Sequence, residues 1–363
     1  MRMLRIDSAS PFHTLIGVGG IGTGCVFSLD GNQTLGRNES RAGHLLDVRD
    51  YCKLHIIIHY VSKLLGAGQS EFRVRAIGRV GDDAAGRQVV KAMNEVGIET
   101  SLVHRVAGKP TLFSVCFQYP DGCGGNITTD NSAAGTVSIA DVNTATEALN
   151  TGGSRVIALA APEVPLSARF HLLQLATHTG AFRAASFTSG EITNACGMGM
   201  FQLLDLVALN ESEASEVVSV PFSTEAREIF IAACQEFIRA SCPSLRMVVS
   251  TGANGAYALT SEISNYCPAP KIKVASTAGA GDALLGGVLA ALAAGIELVK
   301  PRDRATSNSL ETALDLGVLL ASYKCLSPHT IHPGASLMSL IDFARELGLT
   351  FAPKLQGFFV EAA

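Results

Sequence analysis

Short apolar runs alternate with longer amphipathic runs over most of this chain, and this alternation strongly limits the folds that it can adopt. The predicted strands are residues 13–18, 72–81, 154–161, 180–187, 203–210 and 246–252. The predicted helices are residues 48–68, 83–98, 166–180, 224–240 and 281–296. Strands that alternate with helices of this length form βαβ units, which build a mostly parallel sheet covered by helices on both faces. The sequence therefore predicts an α/β fold.

Two segments interrupt this alternation. Residues 24–46 are polar and rich in glycine, and residues 101–132 alternate between apolar and polar positions around two turn signals, 107–110 and 121–122. We expect short antiparallel strands here, inserted among the βα units as a small lid. Because the chain shows no internal repeat and no low-complexity linker, we predict a single domain over residues 1–363 that carries this lid.

The composition excludes several classes of protein. A hydrophobic content of 47% with 17% charged residues indicates a folded core, and a net charge of −4 gives no basic face for nucleic acid. Residues 1–12 lack the apolar segment of a signal peptide, and the most apolar stretch, residues 283–296, is too short to span a bilayer. We therefore expect a soluble, cytoplasmic protein with no membrane and no nucleic-acid partner.

The cysteines and histidines do not form a recognisable metal or disulfide pattern. The nine cysteines include no C-x-x-C pair, and their number is odd, so buried reduced thiols are the favoured interpretation. His55 and His59 share a helix face, but the glutamate of an H-E-x-x-H motif is missing between them. We interpret them as core residues.

The glycine motif G-x-G-x-x-G at residues 17–22 matches the dinucleotide-binding fingerprint. Such a site needs a helix directly after the third glycine and an acidic residue about 20 positions further on. Here a turn signal at residues 30–32 leaves barely two helical turns, and Glu39 lies in a polar loop. A strand that runs into a glycine-rich bend explains the motif better than an NAD-binding oxidoreductase does.

The stretch STAGAGDALLGGVLAALAAG, residues 276–295, points most directly to chemistry. The backbone N–H groups of residues 278–281 precede a long apolar helix, so they would meet at one point where the helix dipole adds positive potential. Asp282 beside this anion cradle could take a proton from a hydroxyl while the cradle holds a phosphoryl group. In the alternative interpretation, Asp282 only caps a buried helix.

Four stretches together resemble one family, in the family's order. Residues 276–282 match D-T-x-G-A-G-D except at the first position, and residues 76–100 contain G-x-D-x-x-G and G-[IV]-x-T. Residues 210–213 contain N-x-x-E, and residues 250–255 contain S-T-G-x-x-G. The chain thus resembles the ribokinase-like (PfkB) family of small-molecule kinases over roughly residues 13–340. This resemblance implies a ribokinase-like three-layer sandwich and ATP-dependent phosphorylation of an alcohol.

The resemblance also implies roles for individual residues. Asp282 would be the catalytic base, and the anion hole would be formed by Gly279, Ala280 and Gly281. The nucleotide would contact Thr251, Gly252, Gly255, Thr277 and Ala278. Asn210 and Glu213 would order Mg²⁺, although a helix N-cap and its capping box explain this pair equally well. The resemblance places the adenine and cation region near residues 326–335 and leaves open whether a monovalent cation activates the enzyme.

The acceptor side departs from the family pattern. Ser276 replaces an aspartate, and the family's G-G-x-x-x-N is matched at best by residues 42–47, with aspartate in place of asparagine. The family's aspartate and asparagine are also missing from residues 186–191. The candidate acceptor-binding residues are Asp30, Asn32, Gly43, Asp47 and Asn126. Each of them is also a typical turn or strand-end residue.

The leading functional hypothesis is a kinase that phosphorylates a sugar or a sugar-like molecule. Few aromatic residues occur in the predicted lid, which favours a sugar over a nucleoside as acceptor. A catalytically silent ribokinase-like binding protein is the alternative, and a nucleoside kinase or a nicotinamide enzyme is less favoured. An exposed sheet edge in the lid would also allow a homodimer.

Overall fold

The computed structural model describes residues 2–121, 124–300 and 308–361. The strands are β1 (Arg2–Leu4), β2 (Thr14–Val18), β3 (Gly22–Leu29), β4 (Gly43–Tyr51), β5 (Arg73–Gly81), β6 (Ile98–Val106), β7 (Leu112–Gln118), β8 (Gly124–Thr128), β9 (Val156–Ala160), β10 (Phe182–Ser186), β11 (Leu206–Asn210), β12 (Arg246–Ser250), β13 (Ala256–Leu259), β14 (Ser264–Cys267), β15 (Ser309–Leu310), β16 (Thr350–Phe351) and β17 (Phe359–Glu361). The α-helices are α1 (Lys53–Leu65), α2 (Ala84–Glu95), α3 (Ile139–Asn143), α4 (Thr146–Gly152), α5 (Leu166–Thr179), α6 (Ile192–Gly197), α7 (Glu211–Val218), α8 (Arg227–Ser241), α9 (Ala280–Ala294), α10 (Ala313–Lys324), α11 (Leu337–Glu346) and α12 (Pro353–Gln356).

A nine-stranded central sheet has the order β14-β13-β12-β11-β10-β9-β2-β5-β6. In this order, neighbouring strands from β12 to β6 pair in parallel. β13 and β14 extend the sheet at one edge through antiparallel pairs. Parallel strands end at the same edge of the sheet, so the segments that follow β2, β9, β10, β11 and β12 converge there. This edge carries the candidate site.

Helices cover both faces of the central sheet. In β11, Leu206 and Ala208 pack into the same hydrophobic cluster as α1, α9 and α10. The alternate residues Val207 and Leu209 pack on the other face, in the cluster that contains α8 residues. This period of two follows from the pleat of a strand buried on both faces. The predicted α/β three-layer sandwich with a mostly parallel sheet is therefore confirmed.

A separate four-stranded sheet, in the order β4-β3-β7-β8, stands beside the central sheet, and we call it the small sheet. β3 pairs antiparallel with β4 and parallel with β7, and β7 pairs antiparallel with β8. These strands lie within or next to the two segments predicted to form a lid. Residues 101–106, however, belong to β6 at the edge of the central sheet, so that part of the prediction is wrong. The alternation of an edge strand looks the same in either sheet, and only the tertiary pairing separates them.

One further local prediction needs correction. The helix predicted over residues 48–68 begins only at Lys53, because residues up to Tyr51 pair with β3. After Val18, the glycine motif leads into strand β3 and not into a helix, which removes the basis for a dinucleotide site. The glycines instead allow close packing: a Cβ on Gly24 would lie 2.0 Å from a carboxylate oxygen of Asp50.

The remaining sequence predictions concern the membrane, the thiols and the histidines. In the described ranges, no helix has the length and apolarity needed to cross a membrane. The cysteines there are free thiols, whereas Cys123 lies outside the described residues. His55 is fully buried in α1, and no group of three or more potential metal ligands occurs in the part of the chain that the structure describes.

Candidate active site

The N-terminus of α9 lies at the centre of the site. The helix begins after Gly279, whose φ of +80° is the left-handed conformation that glycine adopts without strain. A Cβ at this position would lie 2.6 Å from the carbonyl oxygen of Thr330, so the turn also requires a residue without a side chain. Asp282 follows in the first helical turn. The sequence thus builds a tight turn that presents a carboxylate and helix N–H groups together.

The turn uses some of the backbone donors that the sequence analysis assigned to the anion cradle. Ala278 donates its N–H to Ser276 Oγ at 3.2 Å, and Ala280 donates its N–H to the carbonyl of Thr277 at 3.0 Å. The expectation of four free donors in residues 278–281 is therefore wrong for these two. Among the described residues, the N–H groups of Gly279 and Gly281 have no hydrogen-bond partner, so they are the donors left for an anion.

Two lysines flank the carboxylate of Asp282, whose side chain is only 12% exposed. Lys53 Nζ lies 3.9 Å from Asp282 Oδ2, and Lys324 lies deeper in the protein. Burial raises the pKa of Asp282, whereas the charges of Lys53 and Lys324 act in the opposite direction. The Asp282 carboxylate correspondingly raises the pKa of Lys53. The site therefore contains a carboxylate whose proton affinity depends on two nearby cations.

A cavity of about 270 Å³ lies between Asp282 and the small sheet, and we call it the acceptor cavity after the role that we propose for it below. Its polar lining side chains are those of Asp50, Tyr51, Lys53, Ser114, Cys116, Gln118, Asn126, Glu163, Ser276, Thr277, Asp282 and Thr330. Its apolar lining includes Val26, Ile56 and Phe117. A mixed lining with many oxygen acceptors suits a small molecule that carries several hydroxyl groups.

Asp50 is the second-last residue of β4 and is buried, with 4% of its surface exposed. Its Oδ2 accepts a hydrogen bond from Ser114 Oγ at 2.6 Å and a weaker one from Cys116 Sγ at 3.6 Å. Burial raises the pKa of Asp50, and these hydrogen bonds offset part of that effect. The backbone N–H of Tyr51 donates to Thr330 Oγ1 at 2.9 Å, which ties β4 to the loop after α10. The small sheet thus supplies a fixed acidic group to the cavity.

Glu163 follows β9 and reaches the N-terminus of α1. Its Oε2 accepts the backbone N–H of Lys53 at 2.9 Å, which caps a helix whose own N-cap, Cys52, makes no side-chain hydrogen bond. Glu163 has a φ of +73°, a conformation that costs a non-glycine residue on the order of 1 kcal/mol. Burial raises the pKa of Glu163, and the charge of Lys53 counteracts this effect.

A second cavity of about 410 Å³ lies on the other side of the α9 N-terminus, and we call it the nucleotide cavity after the role that we propose for it below. Its lining residues are Ser250, Gly252, Ala253, Gly255, Ala256, Ala269, Pro270, Lys271, Ile272, Val274, Thr277, Ala280, Gly281, Leu284, Val318, Ala321, Ser322 and Cys325. The mostly apolar wall suits a flat heterocycle, and the helix N-terminus suits its phosphates. Of the predicted nucleotide residues, Thr251 is buried and bonds to Gly255, while Ala278 lies on the acceptor side.

A third cavity of about 240 Å³ includes Lys53, Asp282 and Gly281, and extends to Asn210 and Glu213; we call it the connecting cavity. Asn210 caps α7 by accepting the N–H of Glu213 at 2.8 Å, and Glu213 Oε2 accepts the N–H of Asn210 at 2.8 Å. The capping-box interpretation is thus realised in the structure. Glu213 keeps a second carboxylate oxygen beside this cavity, and burial raises its pKa. One carboxylate and one amide fit a Mg²⁺ ion that retains water and phosphate ligands.

Most of the predicted acceptor residues lie elsewhere. Asp30, Gly43 and Asp47 are exposed and do not line the acceptor cavity, and Asn32 accepts the N–H of Asp121 at 3.0 Å in a loop contact. Only Asn126 of that set lines the cavity. The family motif was matched at residues 42–47, whereas the chain enters α1 only six residues later, so the matched residues lie away from the cavity.

The sequence analysis missed Asp50, Lys53, Glu163, Lys324 and Thr330. Asp50 and Lys53 stand directly before the apolar turns of α1, so searching for polar residues at that helix start would have found them. Lys324 ends an otherwise apolar helix, which is also visible in the sequence. Glu163 and Thr330 carry no local signal that distinguishes them from loop residues.

A model of pfkB family carbohydrate kinases matches residues 58–336, which is most of the chain. The chain belongs to the pfkB carbohydrate kinase family. No curated protein sequence matches this pfkB family member.

Solved structures share the fold at low sequence identity. A ribokinase from Giardia lamblia is 15% identical, with a TM-score of 0.73 over 93% of this chain and 99% of that chain. A ribokinase from Cryptococcus neoformans var. grubii serotype A, in complex with ADP, is 17% identical, with a TM-score of 0.69 over 91% and 99%. A nucleoside kinase from Burkholderia thailandensis, in complex with inosine, is 16% identical, with a TM-score of 0.67 over 92% and 98%. The pfkB family member therefore has the ribokinase-like fold.

Proposed function

We propose that this pfkB family member is an ATP-dependent kinase that phosphorylates an alcohol group of a neutral, sugar-like molecule. The observation that carries the proposal is the position of the α9 N-terminus between two cavities. Asp282 lines the acceptor cavity, Gly281 lines the nucleotide cavity, and both line the connecting cavity. A group transferred between the two cavities would pass the carboxylate and the free helix N–H groups. The ADP bound in the Cryptococcus ribokinase supports a nucleotide as the donor.

In the proposed reaction, Asp282 acts as general base. The acceptor hydroxyl gives its proton to a carboxylate oxygen of Asp282, while the hydroxyl oxygen forms a bond to the γ-phosphorus. The bond from that phosphorus to the β–γ bridging oxygen breaks, and ADP leaves. The N–H groups of Gly279 and Gly281 stabilise the negative charge on the phosphoryl oxygens. Lys53, which lines both the acceptor and the connecting cavities, adds a positive charge along the same path.

Asn210 and Glu213 would order Mg²⁺ through water and nucleotide phosphate. The ion would supply positive charge that offsets the phosphate charges. The described residues hold no cluster of three potential metal ligands, so the nucleotide must bring part of the coordination shell.

The charge of the acceptor cavity favours an uncharged acceptor. Three carboxylates line it, those of Asp50, Glu163 and Asp282, against the single ammonium group of Lys53. A phosphorylated or carboxylated acceptor would meet unfavourable charges there, whereas hydroxyl groups can donate to the carboxylates. A nucleoside is the second candidate, because a nucleoside kinase in complex with inosine shares the fold. The catalytically silent alternative is disfavoured because both Asp282 and the connecting cavity are present.

We propose that the small sheet closes over the acceptor and that a second copy of the chain covers its outer face. Leu45 is paired with Phe27, which is paired with Phe117, so these apolar side chains share one face of the sheet. On the next rung, Val115 faces Ile127. Leu45 is 63% exposed and Ile127 is 70% exposed, which makes this face suitable for burial against a partner. Sedimentation of the protein should give a dimer, and Ile127→Lys should shift it towards monomer.

The kinase proposal is tested by measuring ADP release from ATP and Mg²⁺ over a panel of sugars, sugar phosphates, sugar acids and nucleosides. One neutral polyol should raise turnover well above background, and Asp282→Asn should reduce that turnover by about 1,000-fold or more. Asp342→Asn is the matched control, because that aspartate is 51% exposed and its ion pair with Arg345 lies on the surface. The proposal fails if no acceptor raises turnover and the protein does not bind ATP.

A further inference from the structure

Lys324 is a buried cation beneath the anion cradle. It is the last residue of α10, and none of its surface is exposed. Its Nζ donates a hydrogen bond to the carbonyl oxygen of Ser276 at 2.9 Å. The N–H groups of Ala275 and Ser276 in turn donate to the carbonyl of Cys325. The end of α10 therefore holds the loop that leads into α9 from two sides.

The charge of Lys324 is not neutralised by an ion pair. In the described ranges, no carboxylate lies within salt-bridge distance of its Nζ, and the Ser276 carbonyl is the one acceptor found for its three N–H donors. A buried, unpaired ammonium group destabilises the folded state. An anion bound at the cradle would offset part of that cost. This arrangement therefore favours a ligand with concentrated negative charge.

Ser276 makes this arrangement possible. The related kinases that the sequence resembles have an aspartate at this position, and a carboxylate there could form an ion pair with Lys324. The serine instead uses its hydroxyl as an acceptor for the N–H of Ala278, and its backbone carbonyl receives the ammonium. The positive charge thus remains available to the site.

We propose that Lys324 is a positioning residue whose ammonium group fixes the cradle through the Ser276 carbonyl and supplies a built-in positive charge, so that phosphoryl transfer needs no added monovalent cation. The proposal rests on the kinase function proposed above. Lys324 does not touch the substrate; it acts through the loop at residues 276–279 and through its field at Asp282, whose pKa it lowers.

The groups around Lys324 determine how its proposed effect on turnover depends on pH. Cys325 lies beside it on the same segment, Asp50 faces it from β4, Asp282 from α9 and His332 from the following loop. Burial lowers the pKa of Lys324 to about 8, and the neighbouring carboxylates oppose that effect. Because the ammonium is the active form, turnover should decrease as the pH rises through about 8. In Lys324→Met, this alkaline decrease should be absent.

The first experiment measures ADP release by the wild-type protein in tetramethylammonium buffers, with and without 100 mM K⁺, a concentration of the order found in cells. Turnover should change less than about twofold with K⁺, whereas Lys324→Met should lose about 10- to 100-fold. In Lys324→Ala, K⁺ or methylammonium should restore part of the lost turnover, which a merely structural role would not produce. Lys63→Met is the matched control, because Lys63 also lies in the last turn of a helix, α1.

A binding measurement separates this inference from the proposed kinase function. Calorimetry should show that Lys324→Met weakens binding of the β,γ-imido analogue of ATP at least about fivefold more than binding of ADP. Failure of the wild-type protein to bind either nucleotide refutes the kinase function, and the inference with it. Three outcomes would refute the role of Lys324 while leaving the kinase function standing. They are equal losses of affinity for both nucleotides, strong activation of the wild type by K⁺, and an unchanged alkaline decrease in Lys324→Met.

Discussion

Replacement of Lys53 by methionine tests whether a nearby cation keeps the carboxylate of Asp282, the proposed general base, ionised. Lys53 Nζ lies 3.9 Å from Asp282 Oδ2, and among the described residues no other cation forms an ion pair with Asp282. Methionine keeps most of the side-chain volume and removes only the charge. The backbone N–H of residue 53 still donates to Glu163, so the start of α1 should be retained.

The size of the effect follows from Coulomb's law. Two unit charges at about 4 Å attract each other by about 1 kcal/mol in bulk water and about 4 kcal/mol at an effective dielectric constant of about 20. The Lys53 side chain is 34% exposed, so solvent screening places the interaction near 2 kcal/mol. This energy corresponds to about a 30-fold change in the ionisation equilibrium of Asp282. Its loss raises the pKa of Asp282, so less of the active carboxylate remains at acidic pH.

The assay is the pH dependence of kcat/KM with the acceptor found in the panel. On the acidic side of the profile, Lys53→Met should be about 30-fold less active than the wild type, and the difference should shrink as the pH rises. Lys91→Met is the matched control, because Lys91 Nζ is also 3.9 Å from a carboxylate, that of Glu95, but its side chain is 78% exposed. A profile for Lys53→Met that stays within about twofold of the wild type at every pH would refute the reasoning.

Three further substitutions, two of them with a matched control, test the site and the fold. Gly279→Ala should lower the free energy of unfolding by about 1–3 kcal/mol, because φ is +80° and the new Cβ would meet a backbone oxygen. In Gly281→Ala, the new Cβ meets nothing within 4 Å. This variant should therefore keep the wild-type melting temperature while binding ATP more weakly. Asp83→Ala removes a cap that accepts hydrogen bonds and should cost about 1–2 kcal/mol in urea unfolding, whereas the exposed Asp82→Ala should cost almost nothing. Although partial burial opposes the effect, hydrogen bonds hold the pKa of Asp83 below its ordinary value, so its stabilising contribution should be lost as the pH falls below the normal aspartate range. Asp50→Asn should raise KM for the acceptor at least about 10-fold with little change in ATP affinity; equal losses for both substrates would contradict its place in the acceptor cavity.

The turn and helix start that form the proposed phosphoryl-transfer half of the site could be predicted from the sequence because their parts are contiguous. Residues 276–282 form one turn and the first turn of one helix, so their spacing along the chain is also their spacing in space. The sequence did not reveal that Ala278 and Ala280 use their N–H groups inside that turn. Such bonds depend on backbone angles that small residues permit but do not dictate.

The lining of the acceptor cavity could not be predicted in full because its residues are far apart in the chain. Asp50, Glu163 and Thr330 meet only when the small sheet, the loop after β9 and the loop after α10 are packed together. The hydrogen bond from Tyr51 to Thr330, for example, joins residues 279 positions apart. The family motif was matched a few residues before the start of α1. This shift selected Asp47 as an acceptor-binding residue, whereas Asp50 lines the cavity.

The sequence by itself determined the buried strands, the helices between them and the turn that carries Asp282, because hydrophobic periodicity and glycine conformations act over a few neighbouring residues. The tertiary structure alone decided which sheet residues 101–106 join, which carboxylates face the acceptor, and where the buried ammonium of Lys324 lies. These features depend on contacts between distant segments, and their energies arise only when burial brings charges and hydrogen-bonding groups into one low-dielectric site.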